Sequence, residues 1–331
     1  MRDLHEVRVV RLPLSVPFRG LSEREALLLR GPAGWGEFAP FSEYDDAEAS
    51  CWLAAGLEAA CDGWPEPVRE AVPVNATVPA VAAEQVAGVL ARFPGCTTAK
   101  VKVAQAGQAL RDDVDRVAAV RDLLGPTGRV RVDANGGWSL ADARWAIAAL
   151  APYDLEYVEQ PCATVEDLAL LRVALARTGL DVLIAADESV RKADDPLRVA
   201  RAGAADLLVL KVAPLGGVRP ALSIAAECGL PVVVSSALDT SVGIRAGVAL
   251  AAALPDLPYA CGLATTSLLG GDVVLHSLDG RGGAIPVRPV TVDPELLARW
   301  AAPPDRTRWW LDRLARCADL LPGAASGRMG R

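Results

Sequence analysis

The chain has 331 residues, of which 52% are hydrophobic and 23% are charged, and its formal net charge is −7. This composition is sufficient for a large buried core, and an acidic chain without a basic block argues against a nucleic-acid partner. The longest apolar runs are too short to cross a membrane, and the charged start lacks the apolar segment of a signal peptide. We therefore expect a cytoplasmic protein with no membrane partner; nothing in the composition indicates its oligomeric state.

The cysteines and histidines exclude several kinds of site. Seven cysteines occur without a C-x-x-C pair, and we interpret them as free thiols in a reducing compartment. Two histidines are too few to favour a zinc site or a Ser-His-Asp triad.

Residues 1–72 are predicted to form an α+β capping domain. Residues 7–14 have the pattern of a strand, and residues 23–40 that of a hairpin whose turn is GPAG. Residues 44–61 carry the apolar stripe of a helix.

From about residue 73 short apolar strands alternate with helices. The helices are predicted at 110–124, 140–150, 165–177, after 195–196, at 218–228 and at 241–254. The strands are nearly continuous runs of Val, Leu and Ile, which is typical of parallel strands that are covered on both faces. Seven or eight such units favour a (β/α) barrel of modified TIM type over 73–265. We expect 266–331 to complete the barrel and the cap, with a frayed tail over 321–331.

A polar side chain stands at the end of each predicted barrel strand. These side chains are Lys100 and Lys102, Asp133 and Asn135, Glu159, Asp187 and Glu188, Lys211, and Ser235 and Ser236. From Asp133 onward the groups recur every 24 to 28 residues, which is one β–α unit. We therefore expect them to form a ring at the mouth of the barrel, where active sites of this architecture lie.

The acids of this ring predict a divalent cation. Asp133, Glu159 and Asp187 would repel one another unless a cation lay between them. Carboxylate oxygens without His or Cys suit Mg²⁺, with Mn²⁺ as a second option. Helix capping is the alternative reading, and it fits Glu188 and Asn135 better than the strand-end acids.

The lysines predict proton transfer. Lys100 and Lys102 lie two apart on one strand, so both point to the same face. A lysine near another cation has a lowered pKa and is then available as a general base, although neutralisation of the acids is an alternative role. Lys211 would face the substrate from across the ring. Base, metal and opposing cation together predict abstraction of the proton next to the carboxylate of a small molecule.

These motifs resemble the muconate-lactonizing subgroup of the enolase superfamily. The matching features are K-x-K at 100–102, D-x-N at 133–135, Glu159 in VEQP, Asp187 in ADES, Lys211 in VLKVAPLGG, and GWGEFAP in the cap. The resemblance implies that Lys102 is the acid/base, that Lys211 is the second lysine, and that Asp133, Glu159 and Asp187 bind the metal.

Within the subgroup, RVDANGGW and SSALDTSVG are similar to the family of the o-succinylbenzoate synthases of menaquinone synthesis. This similarity implies dehydration of 2-succinyl-6-hydroxy-2,4-cyclohexadiene-1-carboxylate. Arg131 is in phase with Asp133 and is expected to face the substrate, together with Lys100 and Asn135. The hydroxyls of Ser235 and Ser236, with the amides at the start of the next helix, are expected to hold the succinyl carboxylate. The segment Phe18, Arg19, Gly20 resembles a loop that closes over the substrate.

Other functions use the same residues. An N-succinylamino acid racemase would exchange protons between the two lysines, and a muconate cycloisomerase would use the same base. GLATTSLL lacks the acidic pair that dipeptide epimerases share, which argues against a dipeptide substrate. A non-catalytic barrel that binds a partner is the non-enzymatic alternative, and the cost of burying so many charges argues against it.

Overall fold

The structure is a computed structural model that describes residues 4–18, 20–191 and 195–322. The predicted loop residue Arg19 and the predicted tail beyond residue 322 lie outside these ranges.

The cap begins with an antiparallel sheet of three strands. They are β1 (Glu6–Phe18), β2 (Leu21–Gly31) and β3 (Gly34–Phe38). Helix α1 (Asp46–Leu57) follows and continues as a π-helical turn over Glu58–Asp62. The helix packs so closely on β3 that a Cβ atom at Gly36 would overlap the carbonyl of Gly56. The strand, hairpin and helix predicted for the cap are therefore present.

The barrel strands form one parallel sheet in chain order. They are β5 (Ala76–Val78), β6 (Thr98–Lys102), β7 (Arg129–Asp133), β8 (Leu155–Glu159), β9 (Ile184–Ala186), β10 (Leu207–Leu210) and β11 (Val232–Val234). The helices between them are α2 (Val86–Leu90), α3 (Leu110–Leu124), α4 (Leu140–Leu150), α5 (Val165–Thr178), α6 (Glu188–Arg191), α7 (Arg198–Arg201) and α8 (Val218–Cys228), and α9 (Ser241–Ala253) follows β11. The strands are buried on both faces, as their Val, Leu and Ile content predicts.

Isolated bridges, rather than an eighth full strand, close the sheet. Cys261 pairs in parallel with Val74, and Gly262 pairs in parallel with Ser235 at the end of β11. The last predicted strand, which begins near residue 258, is thus reduced to two bridges. A short antiparallel ladder of β4 (Ala71–Pro73) and β12 (Ala284–Pro286) lies beside this closure.

The end of the described chain returns to the cap. Helices α10 (Pro294–Arg299) and α11 (Pro304–Leu320) follow β12, and α11 packs against α1. Arg313 of α11 is buried and donates hydrogen bonds to the carbonyl oxygens of Phe41 and Tyr44. Within the described ranges, none of the helices combines the length and hydrophobicity that a membrane crossing requires.

Strand register brings the predicted site residues into two layers. Lys102 pairs with Asp133, which pairs with Glu159, at the carboxyl ends of β6, β7 and β8. Lys100 pairs with Arg131 two residues earlier, one layer deeper in the barrel. The polar groups at the strand ends therefore share one mouth of the barrel, under the cap.

Candidate active site

The lysines of β6 contact the carboxylates of the next two strands. Lys102 Nζ lies 2.5 Å from Asp133 Oδ2 and donates a hydrogen bond of 2.7 Å to Asn135 Oδ1. Lys100 Nζ lies 2.9 Å from both carboxylate oxygens of Glu159 and 3.3 Å from Asp133 Oδ2. Four charged groups from three strands thus form one buried cluster.

A second cluster lies at the ends of β9 and β10. Lys211 Nζ forms an ion pair with Asp187 Oδ2. Arg191, which the sequence analysis did not select, contacts the other oxygen of Asp187 at 3.0 Å and Glu188 Oε1 at 2.7 Å. Asn135 Nδ2 also donates to Glu188 Oε1, at 3.2 Å, and so connects the two clusters.

The electrostatics of the first cluster differ between its members. Burial lowers the pKa of Lys102, and the neighbouring Lys100 ammonium adds to this shift against the opposing effect of Asp133. Burial and the other two site carboxylates raise the pKa of Glu159 to about 8. The pKa of Asp133 is lowered because Lys102 and Lys100 outweigh the effect of its burial. Lys100, which is buried, has a raised pKa because it faces Glu159 and Asp133.

Neighbouring charges act on the pKa of Glu159 in opposite directions. The ion pair with Lys100 favours the charged forms of both partners, whereas Asp133 and Asp187 oppose a third negative charge. Lys100 is therefore held as an ammonium, and Glu159 is the carboxylate at which negative charge is most crowded.

The carboxylates fit a divalent cation in their chemistry, but they are not arranged as a ready-made site. Across the described ranges, no three His, Cys, Asp or Glu side chains are grouped to hold a metal ion. Asp133, Glu159 and Asp187 are fully buried, are close enough to perturb one another, and offer only hard oxygen ligands. Their oxygens contact lysine ammonium groups instead, so a metal ion would have to replace these contacts.

A cleft opens above the clusters. Its barrel side includes Lys100, Lys102, Asn135, Glu188, Arg191, Lys211, Ser235 and Ser236. Its cap side is aromatic, with Phe18, Phe41, Tyr44 and Trp52. Phe18 lies at the tip of the first hairpin, with its ring 5.7 Å from Lys102 Nζ. The cleft thus combines an apolar roof with a charged floor, which suits a ring that carries a carboxylate.

The two serines lie at the wall of the cleft. Ser236 Oγ donates to the carbonyl oxygen of Gly262 at 2.8 Å and lies 2.8 Å from Thr265 Oγ1. Ser235 is buried beside it. These hydroxyls, with Thr265 added, form a neutral polar region at one end of the cleft.

The expected anion site at the start of α9 is not available. The amides of Thr240 and Gly243 donate to the carboxylate of Glu37, which comes from β3 of the cap. The amide of Ser241 donates to Asp272 at 3.2 Å. Protein carboxylates therefore occupy this helix terminus, and the prediction that its amides receive a substrate carboxylate is wrong.

Arg131 does not line the cleft. Its Nε contacts Glu156 at 2.5 Å, and its Nη1 donates to Asn75 Oδ1 and to the carbonyl oxygen of Ala260. The guanidinium also lies 4.7 Å from the ring centre of Tyr157. Because these partners sit where the strands begin, Arg131 points away from the mouth. The in-phase spacing with Asp133 fixed its face of the strand but not the direction of its long side chain.

Two further polar residues organise the strand ends. Gln160 is buried and accepts hydrogen bonds from the amides of Asp187 and Ser189, which fixes the turn after β9. Arg191 is the other, and its place one turn after Asp187 on a short helix is the signal that could have identified it. Composition holds a stronger signal, because the sequence contains four lysines and three of them line the cleft.

Comparison with known proteins identifies the class of the fold. Residues 81–291 match the family described as enolase C-terminal domain-like, and residues 9–60 match the family described as enolase N-terminal domain-like. The muconate lactonizing enzyme of Pseudomonas fluorescens superposes with a TM-score of 0.77 at 21% identity, covering 91% of this chain and 99% of that chain. The L-Ala-D/L-Glu epimerase of Bacillus subtilis superposes with a TM-score of 0.73 at 23% identity, covering 88% and 98%. The fold is therefore enolase-like, as predicted.

Sequence relatives are much more similar. The o-succinylbenzoate synthase of Mycobacterium leprae is 57% identical over 99% of this chain and 96% of the relative. That of Thermobifida fusca is 58% identical over 93% of this chain and 94% of the relative. The chain belongs to the o-succinylbenzoate synthase family of the enolase superfamily, which confirms the resemblance found in the motifs. Membership of this superfamily implies the use of a divalent metal ion in general.

Proposed function

We propose that this protein is a carbon–oxygen lyase that dehydrates 2-succinyl-6-hydroxy-2,4-cyclohexadiene-1-carboxylate to 2-succinylbenzoate in menaquinone biosynthesis. The similarity to o-succinylbenzoate synthases over nearly the whole chain supports this reaction. One observation in the site carries it: Lys102 and Lys211 face the same cleft from strands β6 and β10, with three buried carboxylates between them.

Lys102 is the proposed acid/base. Its lowered pKa favours the neutral amine, which can accept the proton next to the ring carboxylate. The resulting ammonium then donates this proton to the hydroxyl that leaves from the neighbouring carbon on the same face. Water is released, the ring becomes aromatic, and Lys102 returns to the neutral amine. The site needs no other proton donor for this sequence.

Lys211 is proposed to remain an ammonium and to stabilise the anion from the other side of the cleft. Its Nζ forms an ion pair with the carboxylate of Asp187 at the end of β9, which holds the amine at the edge of the cleft. Lys100 is proposed to act from below through Glu159, because its ammonium contacts both oxygens of this carboxylate. These roles assign proton transfer to one lysine and charge stabilisation to the other two.

Asp133, Glu159 and Asp187 are the proposed ligands of Mg²⁺, with Mn²⁺ as an alternative. When bound, such an ion would supply positive charge opposite the substrate carboxylate as negative charge develops there. Their burial, their hard oxygens and the raised pKa of Glu159 support this assignment.

We propose that the hydroxyls of Ser235 and Ser236 face the succinyl arm. The seven cysteines are reduced thiols, which supports a cytoplasmic location.

A substrate panel with and without chelator tests the reaction. We expect the purified protein with Mg²⁺ to remove the absorbance of the cyclohexadiene substrate and to lose this activity with EDTA. The control is re-addition of Mg²⁺ after chelation. Proton exchange at the α-carbon of an N-succinyl amino acid, without dehydration of the cyclohexadiene, would instead assign a racemase.

Calorimetric titration with Mg²⁺ tests the ligand assignment without relying on turnover. We expect Asp133→Asn to weaken Mg²⁺ binding at least about tenfold, because an amide oxygen carries less negative charge than a carboxylate oxygen. Asp195→Asn, which changes an acid in an exposed ion pair, is the matched control. Equal affinities of Asp133→Asn and the unmodified protein would remove Asp133 from the ligand set.

A further inference from the structure

A chain of polar contacts leads from the proposed base to the edge of the cleft. Lys102 Nζ donates to Asn135 Oδ1 at 2.7 Å, and Asn135 Nδ2 donates to Glu188 Oε1 at 3.2 Å. Arg191 Nη2 donates to the same carboxylate oxygen at 2.7 Å. Four side chains from three strand ends are thus linked in series.

Arg191 extends this chain to the cap. Its side chain is 4% exposed, and its Nη1 lies 4.0 Å from Glu48 Oε1 on helix α1. Its Nε contacts Asp187 at 3.0 Å. One guanidinium therefore joins a barrel strand end, Glu188 and a helix of the cap, and its planar donors suit such a junction.

The backbone at Asn135 indicates that this arrangement is specifically held. Asn135 has a φ of +46°, in the left-handed region that few residues other than Gly and Asn adopt readily. Its amide donates to Asp133 Oδ1 at 3.0 Å, and this contact orients the turn. The conformation aims the Asn135 amide group between Lys102 and Glu188. Because Asn adopts this region more readily than most residues, the turn can hold its side chain in one direction between the base and Glu188.

Arg191 is poorly placed to be an anion site of its own. Its guanidinium contacts the carboxylates of Asp187 and Glu188, which neutralise its charge. In addition, Glu188 Oε2 is buried without a hydrogen-bond partner among the described residues, and it would repel a substrate carboxylate. The chain therefore fits a role in positioning better than a role in binding the substrate's anionic groups.

We propose that Asn135, Glu188 and Arg191 are positioning residues, which together we call the relay, and that the relay sets the orientation of Lys102 according to the seating of helix α1. The kinetic test of the relay rests on the proposed function, because it measures the dehydration reaction. When α1 is seated, Arg191 is held, Glu188 is aligned, and Asn135 fixes the amine of Lys102. When α1 is displaced, the base loses one of its two anchors.

Steady-state kinetics of the relay variants test this proposal. We expect Arg191→Met to lower kcat by about 10- to 100-fold with KM within about threefold, because misplacing a catalytic group costs rate rather than affinity. Arg191→Lys should recover part of the loss. Arg201→Met, which removes an arginine from an exposed ion pair with Asp195, is the matched control and should leave both constants unchanged. Glu48→Gln, which alters a residue outside the cleft lining, should lower kcat in the same direction by a smaller factor.

A double-mutant cycle distinguishes a relay from independent contacts. If both residues act through Lys102, Arg191→Met combined with Asn135→Ala should be no slower than the slower single variant. Effects that multiply in full would overturn the proposal. So would a KM raised tenfold or more at unchanged kcat, since Arg191 would then be a substrate-binding residue.

Hydrogen–deuterium exchange provides a readout that does not depend on the reaction. With Arg191→Met we expect faster amide exchange both in α1 around residues 46–50 and in the turn at 134–137. If exchange changes only near residue 191, the relay proposal is wrong, even if the protein dehydrates its substrate. Conversely, if exchange changes in both segments but the protein has no dehydration activity, the relay proposal stands and the proposed function is wrong. Circular dichroism of each variant identifies any that fail to fold.

Discussion

At the scale of single residues, the site is defined by where its lysines are buried. Buried lysines are rare because their charge must be matched, and here the buried Lys100 and the half-buried Lys102 and Lys211 each contact a carboxylate. The same type of side chain nevertheless meets different environments. The pKa of Lys100 is raised by facing Glu159, whereas that of Lys102 is lowered by burial and by Lys100. Two lysines on one strand are therefore suited to different roles.

Replacing the proposed base tests this difference. We expect Lys102→Ala to lower kcat by about 10²- to 10⁴-fold, the usual contribution of a general acid–base group. Circular dichroism should remain that of the folded protein, because the side chain is at the rim of the barrel mouth rather than in the apolar core. Lys102→Arg serves as a second variant, since it keeps the charge but not the accessible neutral form. Turnover that survives in Lys102→Ala would assign the proton transfer to another group.

Residue-scale prediction from sequence succeeded where strand register decides the outcome. The pairing of Lys102, Asp133 and Glu159 follows from the alternation of side chains and from unit length, both of which can be read from the chain. Arg131 could not be predicted in this way, because a long side chain on the correct face can extend in either direction along the barrel. Arg191 was missed because the next helix was predicted only after 195–196, whereas α6 already begins at Glu188 and brings Arg191 one turn after Asp187.

At the scale of elements, carboxylates from the cap cover the starts of two barrel helices. Glu58 accepts hydrogen bonds from the amides of Val218 at 2.6 Å and Arg219 at 3.2 Å, at the start of α8. Glu37 does the same at the start of α9. The first amides of a helix have no partner within it and carry partial positive charge, so these contacts fasten the cap to the barrel.

Removal of one such carboxylate should weaken the whole fold. We expect Glu58→Ala to lower the free energy of unfolding by about 1–2 kcal/mol, as for the loss of a helix N-cap with buried amides left unpaired. Urea titration followed by circular dichroism measures this change. Glu84→Ala, at an exposed position, is the control and should leave the midpoint unchanged. If Glu58→Ala and the unmodified protein unfold at the same urea concentration, Glu58 does not contribute to stability.

At the scale of the whole molecule, the helices of the barrel could be predicted from the sequence more accurately than the way in which the barrel closes. The helices α3, α4 and α8 begin and end where the apolar period predicts, because each packs one stripe on a regular sheet. The prediction of seven or eight units agrees with the seven strands paired in the described chain, and at the eighth position the pairing at Cys261 and Gly262 extends over single bridges. Helix α11 was not predicted, although its packing on α1 ties the end of the described chain to the cap. Contacts between distant segments decide these features, and they leave little trace in a local pattern.

The distribution of lysine has a practical consequence. The sequence has four lysines, and three of them line the cleft, while Lys192 lies outside the described residues. Amine-directed reagents such as activated esters or cyanate therefore meet almost no competing targets elsewhere on the polypeptide. Once modification of Lys192 and of the α-amine is accounted for, for example by peptide mapping, covalent modification therefore reports on whether a ligand occupies the cleft.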